Sequence, residues 1–327
     1  MTKRKIAILG PIPRDTIITY QGDKIKNYGC ITHPAVALSK LEESHLEIIP
    51  VAHVRKNDEA PIKEMLQPYS QINLEHITSD QDRGNVIRLE YVDQNKRMEK
   101  QLGMMNPIVP EDVKDLMDCE AFVFLPISDF EITLETLQFI KKNSKGIIIF
   151  DAHGPTNGVA TDGTRFHKFW VDMKAWLPYI DILKMNLEES QCCYVKPEYS
   201  LDELAKEQKL DTNHLPDLAE ECLNAGLKTL IITVDADGCL IFTKEEGKIK
   251  QTKVPSMKME NVVDTTGCGD TFAGGLAYGL LNNSGDLIVA SKYANALAAR
   301  RTQGKTFDVF KTIQETEKMM IEYYGSI

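Results

Sequence analysis

From Pro110 onward the sequence alternates short apolar runs with helix-length segments, and this alternation restricts the fold more than any other feature. Residues 113–117 read as a helix, 121–125 as a strand, 132–142 as a helix, 146–151 as a strand and 180–185 as another strand. Strands separated by helices of this length pair in parallel, through right-handed crossovers. Residues 5–10 form an earlier apolar run that stops at Gly10-Pro11. It reads as a buried first strand, and ligands of open α/β sheets bind outside the carboxyl ends of such strands. Residues 46–54 and 72–77 read as further strands, with a helix over 58–66 between them. A helix over 216–225 stops at Gly226, a suitable C-cap. Residues 229–234 read as a strand, followed by a hairpin of 239–242 with 249–254. Residues 161–176 read as helical in their second half, 287–301 as a helix closed by Gly304, and 308–324 as the last helix.

Two segments interrupt this regularity. Thr16 to Thr19 is β-branched, with residues 24–28 as a hairpin partner. Residues 84–102 alternate at Val86, Ile87, Leu89, Tyr91 and Val92 and break at Asp93-Gln94-Asn95, a turn signal. They read as a second hairpin.

The 327 residues carry 38 basic and 48 acidic side chains, a formal charge of -10, with no basic tract. That balance argues against nucleic acid as a partner but permits a local anion site. The seven cysteines include no Cys-x-x-Cys pair, so a zinc site has no support, and reduced thiols of a cytoplasmic protein are the simplest reading. The basic start is followed by an apolar run, residues 6–9, too short for a signal peptide. No run is long enough to cross a bilayer. One domain over residues 1–327 is expected.

The densest chemistry lies in Asp264-Thr265-Thr266-Gly267-Cys268-Gly269-Asp270-Thr271-Phe272-Ala273-Gly274-Gly275-Leu276. The glycines precede a helix over 271–282 that carries Phe272, Leu276 and Leu280 on one face. The first amides of a helix have no intrahelical partner and sit at its positive end, so glycines before it open the backbone to a phosphate. Asp270 is either a helix cap or a carboxylate positioned to take a proton from an attacking hydroxyl, and chemistry alone leaves both open. A dinucleotide fingerprint fails, because Phe272 stands where its third glycine belongs, and there is no Walker A sequence.

This stretch resembles the C-terminal signature of the ribokinase-like carbohydrate kinases of the phosphofructokinase-B type. The resemblance implies a three-layer α/β/α sandwich with a mostly parallel sheet and a small β lid, its strands inserted at about residues 16–28 and 84–103. It implies Asp270 as catalytic base and the Gly267, Cys268 and Gly269 amides as the anion hole. Asp15 matches the family's contact to substrate hydroxyls, with Gly29, His33 and Asp264 on the same acceptor side. Asn186-Leu187-Glu188-Glu189 is similar to a second family element, with Asn186 at the nucleotide phosphates and Glu189 at magnesium. By residue chemistry alone Asn-x-x-Glu is commonly a helix start, and His33 and Asp15 are as readily structural. Thr233, Gly238, Thr265 and Asn295 fall at nucleotide-lining positions.

Two departures stand out. Cys30 and His33-Pro34 replace most of the family's Gly-Gly…Asn motif, and Asp235 replaces a glycine of its nucleotide loop. The resemblance implies ATP-dependent phosphoryl transfer to a sugar hydroxyl, with Mg²⁺ and a monovalent cation such as K⁺. A nucleoside acceptor and a catalytically silent binding protein are the alternatives. A homodimer through the lid is implied by analogy.

Overall fold

Ile6, Ala7, Ile8 and Leu9 of strand β1 (Arg4–Leu9) expose nothing to solvent. In the computed structural model, which describes residues 3–19, 21–41, 45–92, 97–194 and 211–327, this strand lies inside a nine-stranded sheet. A strand apolar on both faces is what a sheet covered on both sides requires. β1 pairs in parallel with β4 (Leu46–His53) on one side and β8 (Ala121–Phe124) on the other. Beyond β8 follow β9 (Ile147–Asp151), β12 (Ile182–Asn186) and β13 (Thr229–Thr233), all parallel. β14 (Cys239–Glu245) and β15 (Lys248–Val254) complete that edge as antiparallel strands. β5 (Ile77–Thr78) closes the other edge beside β4.

Alternate residues of the same strands enter two separate cores. Ile6, Ile8, Ile48 and Val123 pack with the helices Thr32–Leu41, Lys56–Leu66, Cys268–Asn282, Leu287–Arg301 and Ile313–Tyr324. Ala7, Leu9, Ile49, Phe122 and Phe124 pack with the helices Leu134–Asn143, Met173–Trp176 and Leu215–Asn224. The result is a three-layer α/β/α sandwich. The chain leaves β1 toward β4 and later returns on the β8 side, so a topological switch lies at the carboxyl ends of β1 and β8.

The expected lid is a separate four-stranded sheet in the order β3 (Lys24–Tyr28), β2 (Arg14–Ile18), β6 (Val86–Tyr91) and β7 (Arg97–Gly103). The turn read at Asp93-Gln94-Asn95 lies outside the described residues. Cross-strand register puts Asp15, Ile87 and Gln101 in one row, and all three are buried. That face is turned toward the sandwich, while Met98 and Leu102 are exposed. Buried Glu131 ties the lid root to the loop after β8. It accepts hydrogen bonds from the amides of Ile127 at 2.6 Å and Ser128 at 3.1 Å, and from Asn85 Nδ2.

Several elements differ from the sequence expectation. Of residues 72–77 only Ile77 joins strand β5, and Ile72 contributes a lone bridge to Ile48. Residues 161–176 contain β11 (Arg165–His167), which forms a hairpin with β10 (Asn157–Val159), and only the short helix Met173–Trp176. The last helix starts at Ile313, behind a 3-10 turn at Phe307–Val309.

Candidate active site

The carboxyl ends of β9, β12 and β13 converge with the start of the Cys268–Asn282 helix. Gly267 caps that helix in the left-handed region at φ +81, and a Cβ there would lie 2.4 Å from His33 Cδ2. Only glycine meets both conditions. The helical ladder begins with Thr271 N–H donating to the Gly267 carbonyl at 2.9 Å. The Cys268 amide is spent on the Thr265 carbonyl at 3.2 Å, so the helix opens toward the site with the amides of Gly269 and Asp270. The Cys268 thiol turns toward the Ala298 carbonyl at 3.6 Å, and burial pushes it up to about 12.

Asp270 stands in the first turn of this helix. Burial pushes its carboxyl up to about 6, with Asp151 and Glu189 adding to the rise and Lys184 and His153 opposing it. Such a group is ionised at neutral pH yet basic enough to accept a proton. Lys184, the middle residue of β12, is the cation of the site. Its Nζ meets Asp151 Oδ2 at 2.8 Å, and a Cβ on Gly269 would come within 3.0 Å of it. Burial disfavours its charge, but Asp151 and Glu189 outweigh burial and keep it protonated. The ammonium therefore lies beside the helix start, where the dipole also favours an anion.

Asn186 and Glu189 form a reciprocal helix cap. Glu189 N–H donates to Asn186 Oδ1 at 2.7 Å, and Asn186 N–H donates to Glu189 Oε2 at 2.8 Å. The second oxygen of Glu189 meets His153 Nδ1 at 2.8 Å. Burial opposes the charge on Glu189, but His153 and Lys184 draw its carboxyl down to about 2. Burial opposes the charge on His153 too, and Glu189 overcomes it, raising that imidazole. Thr233 pairs with Asn186 across β12 and β13, so both sit at the same sheet edge.

On the other side of Asp270 lie the lid residues. A Cβ on Gly29 would come within 2.6 Å of Asp15 Oδ2 and 3.9 Å of His33 Nε2. Asp15, Gly29 and His33 are thus gathered at one point, with His33 reaching on to Gly267. Cys30 adopts a left-handed φ of +51, strained for a side chain with a Cβ. Its Sγ donates to the Leu125 carbonyl at 3.4 Å and lies 4.0 Å from Asp270 Oδ1. His33 is 2% exposed with both ring nitrogens unpartnered, and burial pushes it down to about 3, aided by the Arg301 charge.

The remaining expected positions are engaged in shaping loops. Asp264 accepts from the Thr266 amide at 2.9 Å and from Arg301 Nη2 at 2.8 Å. Exposed Thr265 supplies its carbonyl to Cys268. Gly238 turns the β13–β14 connection at φ +96 against the Val254–Ser256 backbone. Asn295 donates to the Pro255 carbonyl at 3.1 Å and to Tyr324 Oη at 3.4 Å, so Gly238 and Asn295 share one neighbourhood around Pro255.

Sequence reasoning missed Lys184, His153 and Arg301. A single lysine in the apolar run of β12 was the available signal for Lys184. Nothing in the local sequence marks Arg301.

The family model for pfkB family carbohydrate kinases matches residues 131–306, more than half of the chain, and the chain belongs to that family. It is 25% identical to a deoxyribokinase of Salmonella typhi over 201 residues, 60% of this chain and 55% of that protein. The match therefore spans little more than half of that relative. A ribokinase of Lactococcus lactis subsp. lactis is 25% identical over 251 residues, 76% of this chain and 70% of that protein. The structure of Arabidopsis thaliana ribokinase complexed with ribose and ATP superposes with a TM-score of 0.73 at 15% identity, covering 98% of this chain and 99% of that one. The fold is ribokinase-like.

Proposed function

We propose that the protein transfers the γ-phosphoryl group of ATP to a hydroxyl of a sugar or sugar derivative. The observation that carries this reading is Asp270. A carboxyl raised to about 6 stands at a glycine-rich helix start with the buried Lys184 ammonium beside it. In this reading Asp270 takes the proton as the acceptor oxygen bonds to phosphorus and the bond to the departing ADP breaks. The Gly269 and Asp270 amides and Lys184 stabilise charge on the phosphoryl oxygens in flight. Asp15, on the inner face of the lid, holds acceptor hydroxyls, and the lid excludes water as a competing acceptor.

Mg²⁺ takes few ligands from protein and the rest from water and phosphate. The residues fit that habit. Glu189 is held ionised, and Asp151 is close enough for that charge to raise its carboxyl. Glu189 and Asp151 would hold the ion, which when bound neutralises triphosphate charge. Thr233, Asn186, Gly238 and Asn295 bound the donor's side in this reading. A second copy of the chain is the occupant it gives the lid's outer face, where Met98 and Leu102 are exposed, and the mass in solution tests that. Among the described residues no helix is long and apolar enough to cross a membrane.

The two relatives compared by sequence are a deoxyribokinase and a ribokinase, which favours a sugar over a nucleoside. The test is ADP release over a panel of pentoses, hexoses, polyols and nucleosides. Turnover with a free sugar or polyol supports the reading. Turnover with nucleosides alone moves the acceptor to that class, and none with any acceptor supports a silent binding protein.

A further inference from the structure

The signature loop is fastened from beneath by one side chain. Arg301, the last residue of the Leu287–Arg301 helix, is 1% exposed and the largest fully buried side chain described. Its Nη2 donates to Asp264 Oδ2 at 2.8 Å and its Nη1 donates to the Gly304 carbonyl. The other oxygen of Asp264 accepts the Thr266 amide at 2.9 Å, and the Val263 amide donates to the Thr302 carbonyl at 2.8 Å. One positive charge thus bridges the loop before Gly267 and the loop after the helix.

A buried guanidinium is costly, and its own bonding is incomplete, because Nε has no partner. A carboxylate oxygen and a main-chain carbonyl oxygen from two loops, converging on one positive charge, are also the hard ligands of a monovalent metal ion. The K⁺ implied by the family resemblance does not fit at these oxygens, since the guanidinium already holds them. His33, beside Gly267 and pushed down to about 3, adds no second charge. We propose that Arg301 is a built-in cation of the signature loop, standing in for a monovalent metal ion. The turnover needs no K⁺ or Na⁺, and Arg301 is a positioning residue for Gly269 and Asp270. The part concerning turnover rests on the kinase reading; the binding part does not.

The test compares the full-length protein and Arg301→Ala in choline buffer, with and without KCl or guanidinium chloride at low concentration. Wild-type turnover and melting temperature are expected to be equal with and without KCl. Arg301→Ala is expected to lose turnover on the order of a hundredfold, as an ångström-scale misplacement does. KCl or guanidinium should restore part of that loss and raise the variant's melting temperature. Arg301→Lys, which keeps a charge, should retain more turnover than Arg301→Ala and ignore KCl. Wild-type turnover rising severalfold with KCl overturns the proposal. So does an Arg301→Ala protein whose melting ignores both cations. If no acceptor gives turnover in the wild type, the kinase reading fails while the melting comparison still decides on Arg301. An Arg301→Ala protein too unstable to purify leaves the decision to wild type and Arg301→Lys, either of which overturns the proposal by responding to KCl.

Discussion

Replacing Lys184 by methionine keeps its length and removes the one buried ammonium between three carboxylates. Its side chain is 5% exposed and that of its partner Asp151 is 4% exposed, at 2.8 Å. Removing one member of such a pair costs about 3–5 kcal/mol when the other stays charged. Asp151 has an escape, since burial already raises its carboxyl, and without Lys184 it rises further. A carboxyl raised in the fold contributes stability at low pH that is lost as pH climbs through its folded value. The variant's deficit should therefore be smaller at acidic pH and grow as pH climbs.

Asp270 responds in the same direction. Its carboxyl stands at about 6 with Lys184 pulling it down, so removal of Lys184 lifts it. That lift moves the acidic limb of the turnover profile to higher pH. The assay is turnover and thermal melting across about pH 5 to 9, for wild type, Lys184→Met and Lys184→Met/Asp151→Asn. The double variant should regain most of the lost stability. An unmoved acidic limb together with a pH-independent melting deficit refutes the charge network.

Gly267→Ala forces a Cβ against His33 at a left-handed φ, and should cost about 1–3 kcal/mol in urea unfolding and lower turnover at least tenfold. Cys30→Gly relieves a left-handed strain of about 1–2 kcal/mol while giving up a buried thiol, so its stability should stay near wild type, whereas Cys30→Val should be clearly destabilised in the same unfolding assay. Asp270 is raised from 3.8 to about 6, so its ionisation costs the fold stability above that pH. Asp270→Asn should accordingly melt higher than wild type at pH 8, by about 1–3 kcal/mol after allowance for partial exposure, and lose that advantage near pH 4.

The sheet could be read from the sequence because β1, β9, β12 and β13 are apolar runs buried on both faces. Residues 72–77 misled because Ile72-Asn73-Leu74-Glu75-His76-Ile77 alternates as a half-buried strand does, yet only its last residue pairs with β4 as part of a strand. The β10–β11 hairpin escaped notice because its strands are only three residues each, too short to show an alternation. Asp270 and its glycines were readable because they lie within a few consecutive residues. Lys184 and Arg301 were not, because the groups that give them meaning, Asp151 and Asp264, are far away in the chain. Arg300-Arg301 at a helix end reads as a solvated pair complementing the dipole, and only the packing reveals that Arg301 is interior.

The role proposed for Asp270 is that of the base at a phosphoryl-transfer site. Its most direct measurement is single-turnover phosphoryl transfer by Asp270→Asn, alongside nucleotide binding by the same protein, with an acceptor found in the panel. The expected result is nucleotide affinity within about threefold of wild type and transfer reduced on the order of a thousandfold or more. Transfer at the wild-type rate in that variant contradicts the assignment.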